Sequence, residues 1–337
     1  MTRTPPDPAP RLRFAPPKVT PPGLWRRVPP AVFPPVLGLL GLAMAWRAGV
    51  AGFGLPGGLS QMLDGVAVAL FVFAATAYAV KLARRPAVLH DELQILPGRA
   101  GVGAGIVAGY MTAAVLSAYA PGLARVVLVV MLGLHLAMLG VLLSVFRAGP
   151  PEIRTVTPAW HLNWVGFIVA ARTAPLLGWD GLAQLLLWPM LAMACYIWAV
   201  SARQFIAGPP PAPLRPMLAI HLAPLALCST VAVLVGPFWV GMAGACLIVL
   251  VLLILAASAR WLTAAGFSPL WGAFTFPIAA SAGMLWTLYA AMPSEGLRIL
   301  AGLVLVAATM IVPPILFGVW RDWARGRLAV KTNAAIA

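Results

Sequence analysis

Three histidines are the residues of this sequence that most directly suggest a cofactor. His135, His161 and His221 lie in or near long apolar segments, and histidine side chains can ligate haem iron. No paired spacing such as His-x3-His occurs, and no cofactor motif accompanies them. We therefore expect no cofactor, and we keep a haem-binding membrane redox protein as an alternative from another functional class.

Other catalytic and metal-binding groups are scarce. The sequence shows no Ser/His/Asp set, no phosphate-binding loop and no paired carboxylates in an apolar segment, and Asp64 is the carboxylate that lies within one, near its end. Proton-coupled transport commonly uses an ionisable acid at mid-membrane, so this pattern favours a passive path and argues against an enzyme. The cysteines lack metal-ligand spacing and are expected to be small buried side chains: Cys195, Cys228 and Cys246.

The stretch "FTFPIAAS" (274–281) places a proline beside aromatic residues within a long apolar segment. Pro277 cannot donate a backbone hydrogen bond, so a helix that contains it should bend there. A ring at Phe276, projecting from that bend into a narrow bore, would block ions by filling the space and excluding water. The alternative is an ordinary packed aromatic. Phe274 is the second candidate, because a two-residue offset places it on another helix face.

The composition indicates that these segments lie in lipid. The 337 residues are 62% hydrophobic and 9% charged, whereas soluble domains carry about 25% charge and 45–50% apolar residues. The net charge is +15, from 23 Lys+Arg against 8 Asp+Glu, but the basic residues lie at the ends of apolar runs instead of in one patch. That distribution predicts a multi-pass membrane protein and argues against nucleic-acid binding.

Ten apolar runs are long enough to span a bilayer, which takes about 20 residues each. Before them, residues 1–29 are predicted to form a proline-rich, basic, flexible tail, and residues 321–337 a second tail beyond the transmembrane domain at 30–320. The predicted spans are 30–49, 61–83, 98–119, 122–146, 158–177, 180–204, 214–235, 238–263, 268–290 and 295–320.

The positive-inside rule supports this division and orients it. With the N-terminal tail in the cytoplasm, the opposite side receives only Arg47, Arg125 and Arg298, and nearly all other Lys and Arg residues lie inside. The sequence therefore predicts an all-α protein of ten transmembrane helices with both termini cytoplasmic, in a bacterial inner membrane.

Two arginines are candidates for attracting anions. Arg172 lies well inside the fifth predicted span, where a charge is costly and usually functional. Its alternative role is an ion pair with Asp180 or Asp64. Arg47 ends the first span in "AWR" and is either an interfacial anchor or part of a mouth that concentrates anions.

The spans also alternate in character. Odd-numbered spans carry prolines or, in span three, glycines, whereas spans two, four and eight are smooth apolar runs typical of lipid-facing helices. This pattern predicts five helical hairpins around an axis, each with a broken inner helix beside a central path and a straighter outer helix. The prolines are Pro34, Pro35, Pro175, Pro224 and Pro277, with Pro189, Pro313 and Pro314 as exceptions on even spans.

The motifs on the odd spans resemble the tellurite-resistance/dicarboxylate transporter family, which includes bacterial TehA and the plant slow anion channels. The matching stretches are "FPPVLGLLGLAMAWR" (33–47), "TPAWHLNWVGFIVAARTAPLLGWDGL" (157–182), "LRPMLAIHLAPLALCSTVAVL" (214–234) and "SPLWGAFTFPIAASAGM" (268–284). The chain departs from the family where "HLNWVG", with Asn163, replaces a proline common in the fifth span. We expect the kink of that span at Pro175 instead.

The resemblance implies a homotrimer in which each protomer has its own pore of five inner helices, passing small inorganic or carboxylate anions. It also implies that Phe276 occludes that pore. A C4-dicarboxylate carrier or exporter, or a tellurite-resistance permease, remains the alternative within the class. Gly105 and Gly109, which continue a ladder from Gly101, favour close helix packing over pore widening. The candidate pore-lining residues are Phe274, Gly38, Gly105, Gly109, His161, Asn163 and His221.

Overall fold

The computed structural model describes residues 23–337. The predicted N-terminal tail falls largely on residues 1–22, which lie outside the described residues, so that expectation stays a prediction. Ten α-helices form the body of the protein. They are α1 (Phe33–Phe53), α2 (Gly58–Arg84), α3 (Leu96–Leu116), α4 (Pro121–Ala148), α5 (Phe167–Thr173), α6 (Asp180–Ala207), α7 (Leu222–Val235), α8 (Phe238–Ala257), α9 (Gly272–Ala291) and α10 (Glu295–Ala324).

Shorter segments connect or extend these helices. Single turns or short helices cover Val88–Gln94, Ala259–Leu262 and Arg327–Lys331, and a 3₁₀ helix at Ala212–His221 runs directly into α7. Within residues 23–337, nine helices are long and apolar enough to cross a membrane, and each coincides with a predicted span.

The fifth predicted span, 158–177, is built differently from the others. A π-helix at His161–Val165, the short α5 and a 3₁₀ turn at Ala174–Leu177 follow one another, and Gly166 and Ala174 keep helical backbone angles at the two junctions. The expected irregularity at Pro175 therefore exists, as the 3₁₀ turn. The stretch "HLNWVG" is irregular as well, because the π-helix occupies it. The prediction that this span is irregular at Pro175 instead of at "HLNWVG" is therefore wrong.

The odd-numbered helices form a closed inner ring. Helix α1 packs against α3, α3 against α5, α5 against α7, α7 against α9, and α9 closes the ring on α1. Each inner helix also packs against the outer helix that follows it in sequence, as in α1 with α2 and α9 with α10. The predicted arrangement of five hairpins around an axis agrees with these contacts.

Burial separates the two sets of helices. In the most apolar part of the long inner helices 67–78% of residues are buried, against 22–39% in the outer helices. A helix that is apolar on all sides but mostly exposed is suited to lipid, so the outer helices present their free faces to the membrane.

The prolines do not mark broken inner helices in the way the sequence suggested. Pro34, Pro35 and Pro224 lie in the first turns of α1 and α7, where a missing N–H costs no helical hydrogen bond. Of the inner helices only α9 contains a proline in its interior, Pro277, whereas outer helices α6 and α10 contain interior prolines. The expected proline-marked break of an inner helix is therefore present in the fifth span, at the 3₁₀ turn with Pro175, whereas α9 continues through Pro277 and the prolines of α1 and α7 lie at the helix starts.

Both ends of the described chain meet at one end of the bundle. The Arg26 guanidinium donates to the Ala337 carbonyl at 3.0 Å, and the Ala337 amide donates to the Arg26 carbonyl at 2.9 Å. Nearby, the fully buried Lys81 ammonium pairs with Glu92, joining the end of α2 to the short helix Val88–Gln94 before α3. We call this the basic end of the bundle, the end at which Arg26 and Ala337 lie.

Candidate functional site

A cavity of about 270 Å³ enters the bundle from the basic end. Helices α1, α3, α7 and α9 and the π-helix before α5 contribute to its wall, and Lys331 and Thr332 of the C-terminal segment lie at its rim. Its lining is almost entirely apolar. Representative wall residues are Pro34 and Leu37 from α1, Ala104 from α3, Leu162 from the π-helix, Ala223 from α7 and Phe276 from α9.

Phe276 lies where the cavity meets the packed interior of the ring. Its side chain is only 5% exposed, although it lines the cavity wall. Gly41 on α1 lies directly against it, since a Cβ at residue 41 would come within 3.0 Å of Cδ2 of the ring. The ring is therefore held between α9 and α1.

The backbone around Phe276 is fixed by contacts on both sides. Pro277 has no N–H to donate to the Ala273 carbonyl, the acceptor that a regular helix would provide four residues earlier. Both residues line the cavity. The Thr275 hydroxyl lies within hydrogen-bond distance of the Pro34 carbonyl on α1, at 3.1 Å, and of the Gly272 carbonyl, at 2.7 Å. Gly38 permits this approach, because a Cβ there would overlap Thr275. Gly38 therefore packs α1 on α9 and is not part of the cavity wall.

Phe274 occupies the opposite face of α9. It packs edge-on against Trp271, with ring centroids 6.1 Å apart, and lines a separate groove on the outside of the bundle. Two aromatic residues two positions apart thus face different surroundings, as the helical period requires.

Arg172 lies on the far side of Phe276 from the cavity. Its Nη2 would be 3.9 Å from a Cβ at Gly283, which follows Phe276 by two helical turns and shares its face of α9. Seven residues correspond to about 10 Å along the axis. Among the described residues Arg172 has no ion-pair partner, and its buried Nη1 has no hydrogen-bond partner. It forms neither of the pairs, with Asp64 or Asp180, that the sequence suggested as its alternative role.

Asp64 is instead bound to Arg47. The Arg47 Nη2 is 2.6 Å from Asp64 Oδ2 and also donates to the Val115 carbonyl at 3.0 Å. The Tyr119 hydroxyl donates to the same carboxylate oxygen at 2.8 Å, and its ring lies 5.4 Å from the Arg47 guanidinium. The charge of Arg47 is thereby largely neutralised, whereas that of Arg172 is not.

The two histidines proposed as pore liners contact each other behind the cavity wall. His161 Nε2 and His221 Nδ1 are 2.9 Å apart, and the rings lie edge to face. Trp198 of outer helix α6 packs on His161 and donates to the His221 carbonyl at 3.2 Å. Each histidine uses one ring nitrogen in this contact, and the other two ring nitrogens, His161 Nδ1 and His221 Nε2, have no hydrogen-bond partner among the described residues.

A third histidine binds a backbone carbonyl of the π-helix, and sequence reasoning missed this role. His135 on outer helix α4 is completely buried and its Nε2 lies 2.8 Å from the Asn163 carbonyl. A carbonyl can only accept, so Nε2 carries the proton and Nδ1 accepts from the Tyr110 hydroxyl at 3.0 Å. The available signal was a lone histidine in a lipid-facing span, which must point inward to find a partner.

The remaining candidates lie at contacts between helices. A Cβ at Gly105 would come 3.0 Å from the Phe33 ring, and one at Gly109 would overlap Met131. The Asn163 side chain lies against Gly103, where a Cβ would overlap its Oδ1. These glycines let α3 approach its neighbours closely, which is the packing role expected of a small-residue ladder.

Comparison with protein families agrees with this architecture. The family model described as voltage-dependent anion channel (SLAC1) matches residues 27–319, from before α1 to within α10. No curated protein matches the chain. The match confirms the family indicated by the odd-span motifs. The chain therefore belongs to the voltage-dependent anion channel family, and it is a multi-pass membrane protein of the anion channel and transporter class.

Proposed function

We propose that this protein is a passive, TehA-like channel for small inorganic anions, with a path along the axis of the inner ring that Phe276 closes. The observation that carries the proposal is the position of the Phe276 ring between an apolar cavity on one side and the unpaired Arg172 on the other. A benzyl ring offers an anion no hydrogen bond and leaves no room for its hydration shell, so it forms a barrier.

Arg172 supplies the attraction that an anion path needs. A guanidinium without a counter-ion keeps its field, and in a low-dielectric surrounding that field is screened little. An anion beside Arg172 would meet a charge-assisted hydrogen-bond donor about 10 Å beyond the ring. Swinging the ring aside would then connect this site with the cavity.

The charges near the path favour a monovalent anion over a C4-dicarboxylate. A dicarboxylate carries two separated negative groups, and each needs a donor once it leaves water. Among the described residues, the cation close enough to Arg172 to repel it is Arg47. Arg47 is already bound to Asp64 and so is not free to hold a second carboxylate. Arg172 therefore offers one free cationic group at this position.

For the topology we propose ten crossings with both termini in the cytoplasm of a bacterial cell, in its inner membrane. The contact between Arg26 and Ala337 favours an even number of crossings, since it joins residues before α1 and after α10. Nine long helices together with the segmented fifth span make ten. The one-sided distribution of Lys and Arg orients the bundle with its basic end inside. The homotrimer is proposed from the family resemblance alone.

Flux from reconstituted protein tests this function. Purified protein in vesicles with a chloride gradient and no proton gradient should release chloride downhill, and nitrate in place of chloride should also pass. Succinate should pass poorly. Protein-free vesicles give the background. Flux of succinate that exceeds chloride, or flux that requires a proton gradient, would refute the passive anion channel in favour of a carrier.

A further inference from the structure

An apolar groove of about 470 Å³ lies on the outside of the bundle, between outer helices α8 and α10. The exposed face of α9 forms its floor, through Phe274, Pro277 and Ile278. Its walls are aliphatic side chains such as Leu253 from α8 and Leu303 from α10, both largely exposed. In a membrane, such a groove is filled by something as apolar as its walls.

The length of the groove suits one acyl chain of one leaflet. Along α10 it extends from Leu300 to Ile315, and along the other wall from Val249 to Thr263. Either distance corresponds to about 20 Å of helix. One leaflet contributes about 15 Å to the hydrocarbon core. Along α10 the groove stops nine residues before Ala324, but on its other side it reaches Thr263 and Trp271 at the basic end, so it opens toward the leaflet on that side.

The open end of the groove presents positive charge. Arg260 is exposed, adjoins the lining residues Ala259 and Leu262, and has no ion-pair partner among the described residues. Beside it, Arg215 lies 4.3 Å over the Trp261 ring. Acidic residues at this end are largely engaged elsewhere, since Glu92 binds Lys81 and Asp322 binds Arg327 and Lys331.

We propose that this groove binds an anionic phospholipid of the leaflet at the basic end, with one acyl chain along α9 and the phosphate at Arg260. A tryptophan and arginines at the interface are the groups that hold a lipid headgroup there. The floor residue Pro277 lines both the groove and the central cavity. A bound chain therefore supports the segment of α9 that carries Phe276, a consequence that rests on the proposed function.

Lipid retention tests the proposal without any measurement of flux. Purified, delipidated protein is mixed with phosphatidylglycerol or phosphatidylcholine, and bound lipid is counted by native mass spectrometry. Wild type should retain phosphatidylglycerol in preference to phosphatidylcholine. Arg260→Gln should weaken phosphatidylglycerol binding about fivefold, the loss expected for one basic residue at an anionic surface. Arg147→Gln removes an exposed charge from the end of α4 and is the matched control.

A second variant tests the groove itself. Ala307→Phe places a ring into the empty volume on α10 and should abolish retention of the lipid, whereas Ala137→Phe on the exposed face of α4 should not. The proposal fails if wild type shows no preference for phosphatidylglycerol, or if Ala307→Phe retains it as wild type does. It also fails if Ala307→Phe instead disrupts an oligomer of the wild type, because a second copy of the chain then fills the groove.

Discussion

Gly41 on α1 lies against the ring of Phe276 on α9, so closely that a Cβ at residue 41 would come within 3.0 Å of the ring and 3.2 Å of Ala279. Because Gly41 has no side chain, the Phe276 ring can occupy the position in which it separates the cavity from Arg172. This contact lies at the centre of the proposed gate, and it can be tested separately from conduction.

The first prediction concerns this contact. Gly41→Ala should lower the free energy of unfolding by about 1–2 kcal/mol, because a methyl group must be forced against the ring. In a Phe276→Ala background the same change should be neutral or stabilising, since the obstacle is gone. A double-mutant cycle of thermal stability in detergent measures the coupling.

Gly133→Ala is the matched control for that cycle. Gly133 lies within α4 with nothing near its Cβ position, so the change should stabilise by up to about 1 kcal/mol in either background. Additive effects of Gly41→Ala and Phe276→Ala would show that the two residues do not touch.

The second prediction separates the two arginines. Arg172→Gln should reduce anion flux at least severalfold while thermal stability stays equal or rises, because an unpaired charge is removed from a low-dielectric site. Flux and melting temperature are measured on the same preparations. Unchanged flux would remove Arg172 from the anion path.

Arg47→Gln is the contrasting variant. It leaves the buried Asp64 carboxylate without its ion-pair partner, so it should cost about 2–3 kcal/mol of stability. If Arg172→Gln proved the more destabilising of the two, the assignment of their roles would be reversed.

The third prediction concerns the π-helix. His135→Leu removes the donor to the Asn163 carbonyl and leaves the Tyr110 hydroxyl with only the Met131 carbonyl, 3.4 Å away, so it should cost about 1–3 kcal/mol. His90→Gln, at a half-buried position in the short helix Val88–Gln94, should be nearly neutral, because the ring has only a surface contact with Gln94. A loss of stability equal for both variants would mean that the His135 hydrogen bonds do not hold the fifth span together.

How far the sequence predicted this structure depends on the range of the interactions concerned. The spans were predictable because hydropathy and the ends marked by Lys and Arg are local properties. The alternation of inner and outer helices was also predictable. Several of the prolines used to support it, however, lie in the first turn of a helix and do not break it. Pro224 begins α7 at its first turn and does not break it, a distinction that depends on where the preceding 3₁₀ helix ends.

The site could be predicted only in part, because its residues depend on long-range partners. Phe276 was identified from its place beside Pro277, a local feature. That Arg172 is unpaired follows from Asp64 being bound to Arg47, which requires α1 and α2 to be in place. The contact between His161 and His221 and the π-helix held by His135 likewise join residues far apart in sequence.

The most direct test of the account is the anion current of Phe276→Ala at matched protein amounts. Truncation removes the ring from the path without adding charge, so this variant should conduct more than wild type, and Phe276→Leu should show a smaller increase. Phe274→Ala faces the outer groove and should leave conduction near the wild-type level. If Phe276→Ala folds normally and conducts no better than wild type, Phe276 is a packing residue and the proposed gate is wrong.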